Sequence, residues 1–185
     1  MEVQNTVRLH GMRVNLCTLR ADEDAIRLYA KWINNEKYNH WLGHGDQEMT
    51  LLAEKEFIEK RSKPEAGAHY FNIVAGETLI GTCNVSAKNR TSGWYVLGIM
   101  IGDESYQGQD YGKEVVDMLC RYAFQNLNAR TITLNVCAGN ERAIGCYVKC
   151  GFQECGRISD AVYYEGKYDD MIMMQLTWAT WESMN

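Results

Sequence analysis

Residues 97–124 read LGIMIGDESYQGQDYGKEVVDMLCRYAF, from Leu97 to Phe124. The opening run, Leu97 to Ile101, has the apolar density of a buried strand. A loop punctuated by Gly108 and Gly112 follows. Beyond it Val115, Val116, Leu119, Cys120, Ala123, Phe124 and Leu127 recur at helical spacing and make one broad apolar stripe. A helix that begins directly after such a loop leaves its first backbone N–H groups without partners and aims them into the loop. The natural guest of that arrangement is a phosphate. Strand, loop and helix together predict a cradle for a phosphorylated ligand.

Outward from this unit the chain alternates between the two periods. Towards the N-terminus, Met12 to Leu19 alternates as a first strand, and Asp22 caps a helix carrying Ala25, Leu28, Tyr29, Trp32 and Ile33 on one face. Thr50 is the next N-cap, followed by Leu51, Leu52, Ala53, Phe57 and Ile58 in a second helix that ends near Ser62-Lys63-Pro64. Residues 35–49 have no clear period and read as loop. Tyr70 to Ala75 and Leu79 to Ser86 flank a hairpin turn at Gly76-Glu77, and Trp94 to Ile101 is a third strand of that group. Thr131 to Cys137 is a strand. Asn140 caps a helix that closes at Gly151, and two last strands, Phe152 to Val162 and Asp169 to Trp178, meet across Glu165-Gly166-Lys167. This order predicts an α/β (α+β) fold: a mixed, mostly antiparallel twisted sheet of about seven strands flanked by about four helices.

Composition narrows the function. The 185 residues fit one domain, 1–185, and are 46% hydrophobic and 23% charged, as in an ordinary globular protein. A net charge of −5 argues against nucleic acid as a partner and mildly favours a cationic one. The apolar runs are too short for a bilayer, and the N-terminal stretch MEVQNTVRLHGMRV lacks a secretory signal, so the expected location is the cytoplasm. The seven cysteines are irregularly spaced. Cys146 and Cys150 share a helix face with Cys155 nearby, but His/Cys pairs at zinc spacing are missing, so no metal is expected.

Two segments carry a resemblance. The loop Tyr106 to Gly112, YQGQDYG, follows a strand and opens a helix; one strand downstream stands Asn140-Glu141-Arg142-Ala143 and then Tyr147-Val148-Lys149-Cys150-Gly151-Phe152. Together they resemble the R/Q-x-x-G-x-G/A loop and the N-x-x-A-x-x-x-Y-x-K-x-G-F segment of the GNAT acetyltransferase superfamily. The closing Tyr164 to Asp170 hairpin and the opening GMRVNLCTLRADEDAIRLYAKWINN are similar to the subgroup of ribosomal-protein N-terminal and spermidine acetyltransferases. The resemblance covers nearly the whole chain. It departs from the pattern at Asp110, which stands where the loop has its central glycine. Asp tolerates a left-handed backbone, but a carboxylate beside a pyrophosphate is repulsive by about 1 kcal/mol in solvent. Lys113 is placed to offset that charge, or Asp110 turns outward and caps the helix.

The resemblance implies direct attack of an amine on the thioester of acetyl-CoA. On that expectation the N–H groups of Gln107, Gly108, Gln109, Asp110, Tyr111 and Gly112 hold the pyrophosphate, with Lys113 beside them. A backbone N–H of the strand end Met100, Ile101, Gly102 polarises the thioester oxygen, and Tyr147 gives the departing thiolate its proton. Asn140 caps its helix and contacts the pantetheine arm. Lys149 and Arg142 either reach the CoA phosphates or remain solvated helix charges. Gly145, unusual inside a helix, either makes room or is tolerated. For the base that deprotonates the amine, the candidates by position are Glu36, His40, His44 and His69.

The function these expectations compose is an acetyl-CoA-dependent N-acetyltransferase whose acceptor is a primary amine: a protein N-terminus, a polyamine or an amino sugar. A homo-oligomer accords with the subgroup. The alternative is a non-catalytic acyl-CoA-binding or sensing module, for which Asp110 is the support.

Overall fold

The computed structural model describes residues 6–42, 48–63 and 67–184. Within them the chain runs β1 (Val7–His10), β2 (Val14–Thr18), α1 (Glu23–Ile33), a 3-10 turn at Asn39–Leu42, α2 (Leu51–Arg61), β3 (Ala68–Ala75), β4 (Thr78–Asn89) and β5 (Trp94–Ile101). A second 3-10 turn at Glu104–Tyr106 leads into α3 (Tyr111–Asn126), β6 (Thr131–Cys137), α4 (Glu141–Lys149), β7 (Gln153–Tyr164), β8 (Lys167–Thr177) and α5 (Trp178–Met184). The strands form one sheet in the order β1-β2-β3-β4-β5-β6-β8-β7. All neighbours are antiparallel except β5 and β6. This is the mixed, mostly antiparallel α/β sheet expected, with eight strands and five helices among the described residues.

Strand alternation assigns the two faces. Leu16 and Ile73 are buried with Val115, Val116 and Leu119 of α3, and the same core takes in Tyr147 and Cys150 around α4. One residue further along each strand, Cys17 and Val74 are buried instead with Ala25, Ile26 and Tyr29 of α1 and Ile58 of α2. The sheet therefore carries α3 and α4 on one face and α1 and α2 on the other. Trp178 and Trp181 of α5 close the first face against Phe124, at ring distances of 5.7 and 5.2 Å.

Local chemistry explains the helix boundaries. Asp22 accepts from the Ala25 amide at 3.2 Å, Thr50 from Ala53 at 3.2 Å and Asn140 from Ala143 at 3.2 Å, so the three side-chain N-caps read from sequence are formed. Gly151, at φ 90°, ends α4 as expected. Two elements depart from the sequence reading. The strand read at Met12 to Leu19 is β2, and a further strand, β1, precedes it across a turn in which the Gly11 amide donates to Val14 O at 2.9 Å. The chain end after Thr177 is helical, since Thr177 Oγ1 accepts from Thr180 N at 3.2 Å and Trp178 and Trp181 share a face.

The second helix forms as α2, and the structure adds which of its residues turn in. Leu51 and Leu52 are 47% and 67% exposed, and the buried residues are Ile58 and Glu54. Helix α1 sets the approach of α2, and a three-residue run of apolar side chains in a first turn cannot all face one neighbour.

Candidate functional site

The parallel pair β5–β6 holds together over Trp94↔Thr131, Tyr95↔Ile132 and Val96↔Thr133, and then stops. β5 continues to Ile101 on β4 alone, and β6 continues to Cys137 on β8 alone. A slot therefore opens inside the sheet. It widens into a cleft of about 660 Å³ lined from both faces, by Tyr29, Trp32, Glu54 and Phe57 on one side and Gly108, Asn140, Ala143 and Tyr147 on the other.

Strand parity decides what β5 offers to the slot. The Gly102 amide donates to Ile80 O at 2.9 Å, and Met100 O lies against Gly81, so even-numbered backbone groups here face β4. Ile99 and Ile101 present theirs to the open edge. Gln107 Nε2 caps the Ile101 carbonyl at 2.8 Å, leaving the Ile101 amide in the slot. Of the three strand-end residues expected there, Met100, Ile101 and Gly102 all line the cleft, and Ile101 is the one whose amide points into it. Trp32 lies so close to Gly102 that any Cβ there would overlap the ring, which fixes the end of α1 against the end of β5.

The loop is built as a nest of donors. The Gln107 amide is used within the 3-10 turn, donating to Glu104 O at 3.1 Å, so it is not available as expected. The amides from Gly108 to Lys113 donate to no group among the described residues. Gly108 has φ 71° and open space around it. Asp110 has φ 60° and ψ 10°, a left-handed turn that Asp accepts in place of glycine. It does not cap α3 through its side chain. Nor does Lys113 offset its charge: Lys113 Nζ bonds Asp117 Oδ2 at 2.6 Å, and Lys149 Nζ stands 3.8 Å from Asp110 Oδ1 instead. Free amides, a helix N-terminus and Lys149 suit a phosphorylated group.

Two long-range contacts lock the loop. Arg142 Nη1 donates to Gln107 Oε1 at 2.8 Å, tying α4 to it. Arg13 Nη1 donates to Gln109 O at 2.8 Å, while Arg13 Nε meets Glu114 Oε2 at 3.1 Å and its guanidinium lies 4.4 Å from the centre of the Tyr111 ring. Glu114 Oε1 also accepts from the amides of Met12 and Arg13 at 2.7 and 2.8 Å. Burial raises the Glu114 carboxyl, but the donors from Arg13, Val14 and Met12 outweigh it and hold it below its ordinary value.

Tyr147 is 9% exposed, packs against Phe152 at 6.0 Å and lines the cleft. Burial pushes its hydroxyl well above the ordinary tyrosine value, so it keeps its proton at neutral pH. Asn140 and Lys149 line the same wall. Gly145 has nothing near the position of a Cβ, so no close approach requires it.

Of the sequence candidates for a base, the three described ones, Glu36, His40 and His69, do not line the cleft. Glu36 is exposed and its carbonyl accepts from Tyr164 Oη at 3.2 Å. His40 stacks on Tyr164 at 3.8 Å, with burial lowering its pKa. His69 Nδ1 lies 3.1 Å from Tyr122 Oη, against α3. His44 lies outside the described residues. Besides Asp110 in the loop, the acidic side chain that lines the cleft among the described residues is Glu54, which sequence reasoning passed over; its signal was an acid four residues before Ile58 on the inward stripe of α2.

This site can be set beside known proteins. A family model described as an acetyltransferase (GNAT) domain matches residues 13–153. A spermidine N(1)-acetyltransferase of Vibrio cholerae is 26% identical over 161 residues, covering 86% of this chain and 91% of that one. An aminoglycoside N(6')-acetyltransferase type 1 of Klebsiella pneumoniae is 24% identical over 151 residues, with 76% and 75% covered. Among solved structures, the Vibrio cholerae spermidine N-acetyltransferase crystallised with CoA and spermine superposes with a TM-score of 0.81 at 20% identity, covering 92% of this chain and 98% of that one.

Proposed function

The chain belongs to the GNAT acetyltransferase family, and on that premise we propose how its residues divide the work. It is an N-acetyltransferase with acetyl-CoA as acetyl donor. The observation that carries the reading is the through-sheet cleft, with a row of free amides at one end and a protonated, buried tyrosine in its wall. The pyrophosphate sits on the amides from Gly108 to Lys113, with Lys149 nearby. The donor supplies an activated acetyl group as a thioester. The Ile101 amide, in the open edge of β5, stabilises negative charge that develops on the acetyl oxygen. The amine nitrogen bonds to the acetyl carbon, the carbon–sulfur bond breaks, Tyr147 Oη gives its proton to the departing sulfur, and the proton that the amine nitrogen loses as it becomes an amide returns to the Tyr147 oxygen.

The acceptor is a primary amine that enters from the α1–α2 face. Relatives named for spermidine and for aminoglycosides support an amine acceptor. The reading is tested by titrating acetyl-CoA calorimetrically and then following thiol release over an amine panel, with wild type and Tyr147→Phe. Tyr147→Phe is expected to lower kcat by about a hundredfold or more while the donor Kd stays within about twofold. Absence of donor binding overturns the reading at its first step. Binding without turnover on any amine favours an acyl-CoA sensor instead.

A further inference from the structure

Helix α2 buries a charge where its sequence offers leucines. Glu54 is 1% exposed, and its Oε2 has no hydrogen-bond partner among the described residues. Seven residues on, and so on the same helix face, Arg61 has its Nε buried and equally without a partner. The Arg61 side chain runs back along the helix, and its guanidinium lies 3.3 Å from the centre of the Phe57 ring and 5.3 Å from that of Tyr70. The Arg61 charge is close enough to influence Glu54, and among the described residues the two form no ion pair. Both line the cleft, beside Tyr29, Trp32 and Phe57.

Leaving a carboxylate oxygen of Glu54 and the Nε of the half-buried Arg61 without hydrogen-bond partners is costly. The charges that line the cleft separate by face. Asp110, Lys113, Arg142 and Lys149 stand on the α3–α4 side, and Glu54 and Arg61 on the α2 side. Among the described residues the acceptor arm thus holds one negative and one positive group, set among aromatic walls. Such an arm complements one ammonium and one anion in the same molecule. A linear polycation would need several carboxylates and would meet Arg61 as a repulsive neighbour.

We propose that Glu54 and Arg61 form the acceptor subsite, and that it selects small zwitterionic amines, an apolar amino acid or short peptide with free termini, over polyamines. Glu54 Oε2 takes the ammonium, Arg61 Nε takes the carboxylate, and the rings of Trp32, Phe57 and Tyr70 take the apolar side chain. This rests on the acetyltransferase reading for its chemistry, but not for its binding test.

The experiment compares leucine and alanyl-alanine with their methyl esters and with spermidine. With acetyl-CoA present, kcat/KM for the two acids is expected to exceed that for esters and spermidine by about tenfold or more, because a site built to bond a carboxylate rejects the analogue lacking it. Arg61→Met is expected to bring the acid-to-ester ratio close to one, and Arg61→Lys, which keeps the charge, to restore part of it. Glu54→Gln is expected to raise KM for every amine. Spermidine or the esters reacting as well as the acids overturns the proposal, as does an acid-to-ester ratio that survives Arg61→Met. The wild-type comparison stands even where a variant fails to fold. If no amine reacts, quenching of tryptophan fluorescence from Trp32 and Trp41 by leucine, against its methyl ester, still decides the matter: selective quenching supports the subsite, and equal or absent quenching overturns it.

Discussion

Arg13 and Gln109, 96 residues apart in sequence, are joined by a 2.8 Å hydrogen bond from Nη1 to the carbonyl oxygen. A peptide is planar, so fixing that carbonyl also fixes the direction of the Asp110 N–H on its far side. The β1–β2 turn therefore aims one donor of the phosphate nest from outside the loop. Arg13→Ala is expected to weaken acetyl-CoA binding by about tenfold, or about 1.4 kcal/mol, read by calorimetry. Far-ultraviolet circular dichroism should be unchanged.

Glu114 anchors the same turn, with a side chain 15% exposed and donors from Met12, Arg13 and the Arg13 guanidinium. Its folded pKa lies below the unfolded one, so its contribution is full above the ordinary glutamate pKa and fades as pH falls through the folded value. Glu114→Gln should cost about 1–3 kcal/mol near neutral pH, since charge-assisted bonds are lost. Urea midpoints of wild type and variant should converge as the buffer is acidified below pH ~4. A constant gap down to that range would exclude the carboxylate as the cause.

Asp110 stands at φ 60° with a carboxylate 68% exposed, paired at 3.8 Å with an equally exposed Lys149. Such a pair contributes little to stability. Asp110→Gly removes both the backbone strain and a negative charge at the phosphate mouth. Acetyl-CoA should bind several-fold more tightly, with the gain shrinking as salt rises from ~50 mM to ~500 mM. Unchanged affinity at low salt would mean that the carboxylate does not face the phosphates.

Glu54 carries the opposite linkage to Glu114. Burial raises its folded pKa, with Arg61 lowering it only in part, so the folded protein is favoured by the protonated form. The resulting penalty appears as pH rises through the ordinary glutamate value and is complete above the raised one. Glu54→Gln removes it, and the unliganded variant is expected to melt a few degrees higher than wild type at neutral pH, by calorimetric scanning. The two should differ less at pH ~4, where wild-type Glu54 is protonated in both states. A lower melting temperature for the variant would show that the charge is compensated.

The sequence makes the proposed phosphate side of the site legible because its chemistry is local. A loop, a helix start and a capping Asn140 each act within a few residues, and strands Trp94–Ile101 and Thr131–Cys137 are bounded by turn residues that leave no choice. The acceptor side is set by tertiary contact. No local rule makes Glu54 turn in while Leu52 turns out; that follows from where α1 holds α2. Likewise the Lys113 charge is spent on Asp117, one helical turn ahead, a competition that the loop motif alone does not register.

The parting of β5 from β6 after Val96 and Thr133 has a mechanical side. The sheet is two ladders that share a short seam, and past that seam an extended molecule lying along β5 occupies a strand's place. On the proposed reading the donor, with its amide-bearing arm, acts as a splint across the two halves as well as a reactant. Occupancy at a hundred times Kd adds about 2.7 kcal/mol by mass action alone. Amide exchange should slow most along the lower halves of β5 and β6, on either side of the gap that the splint bridges.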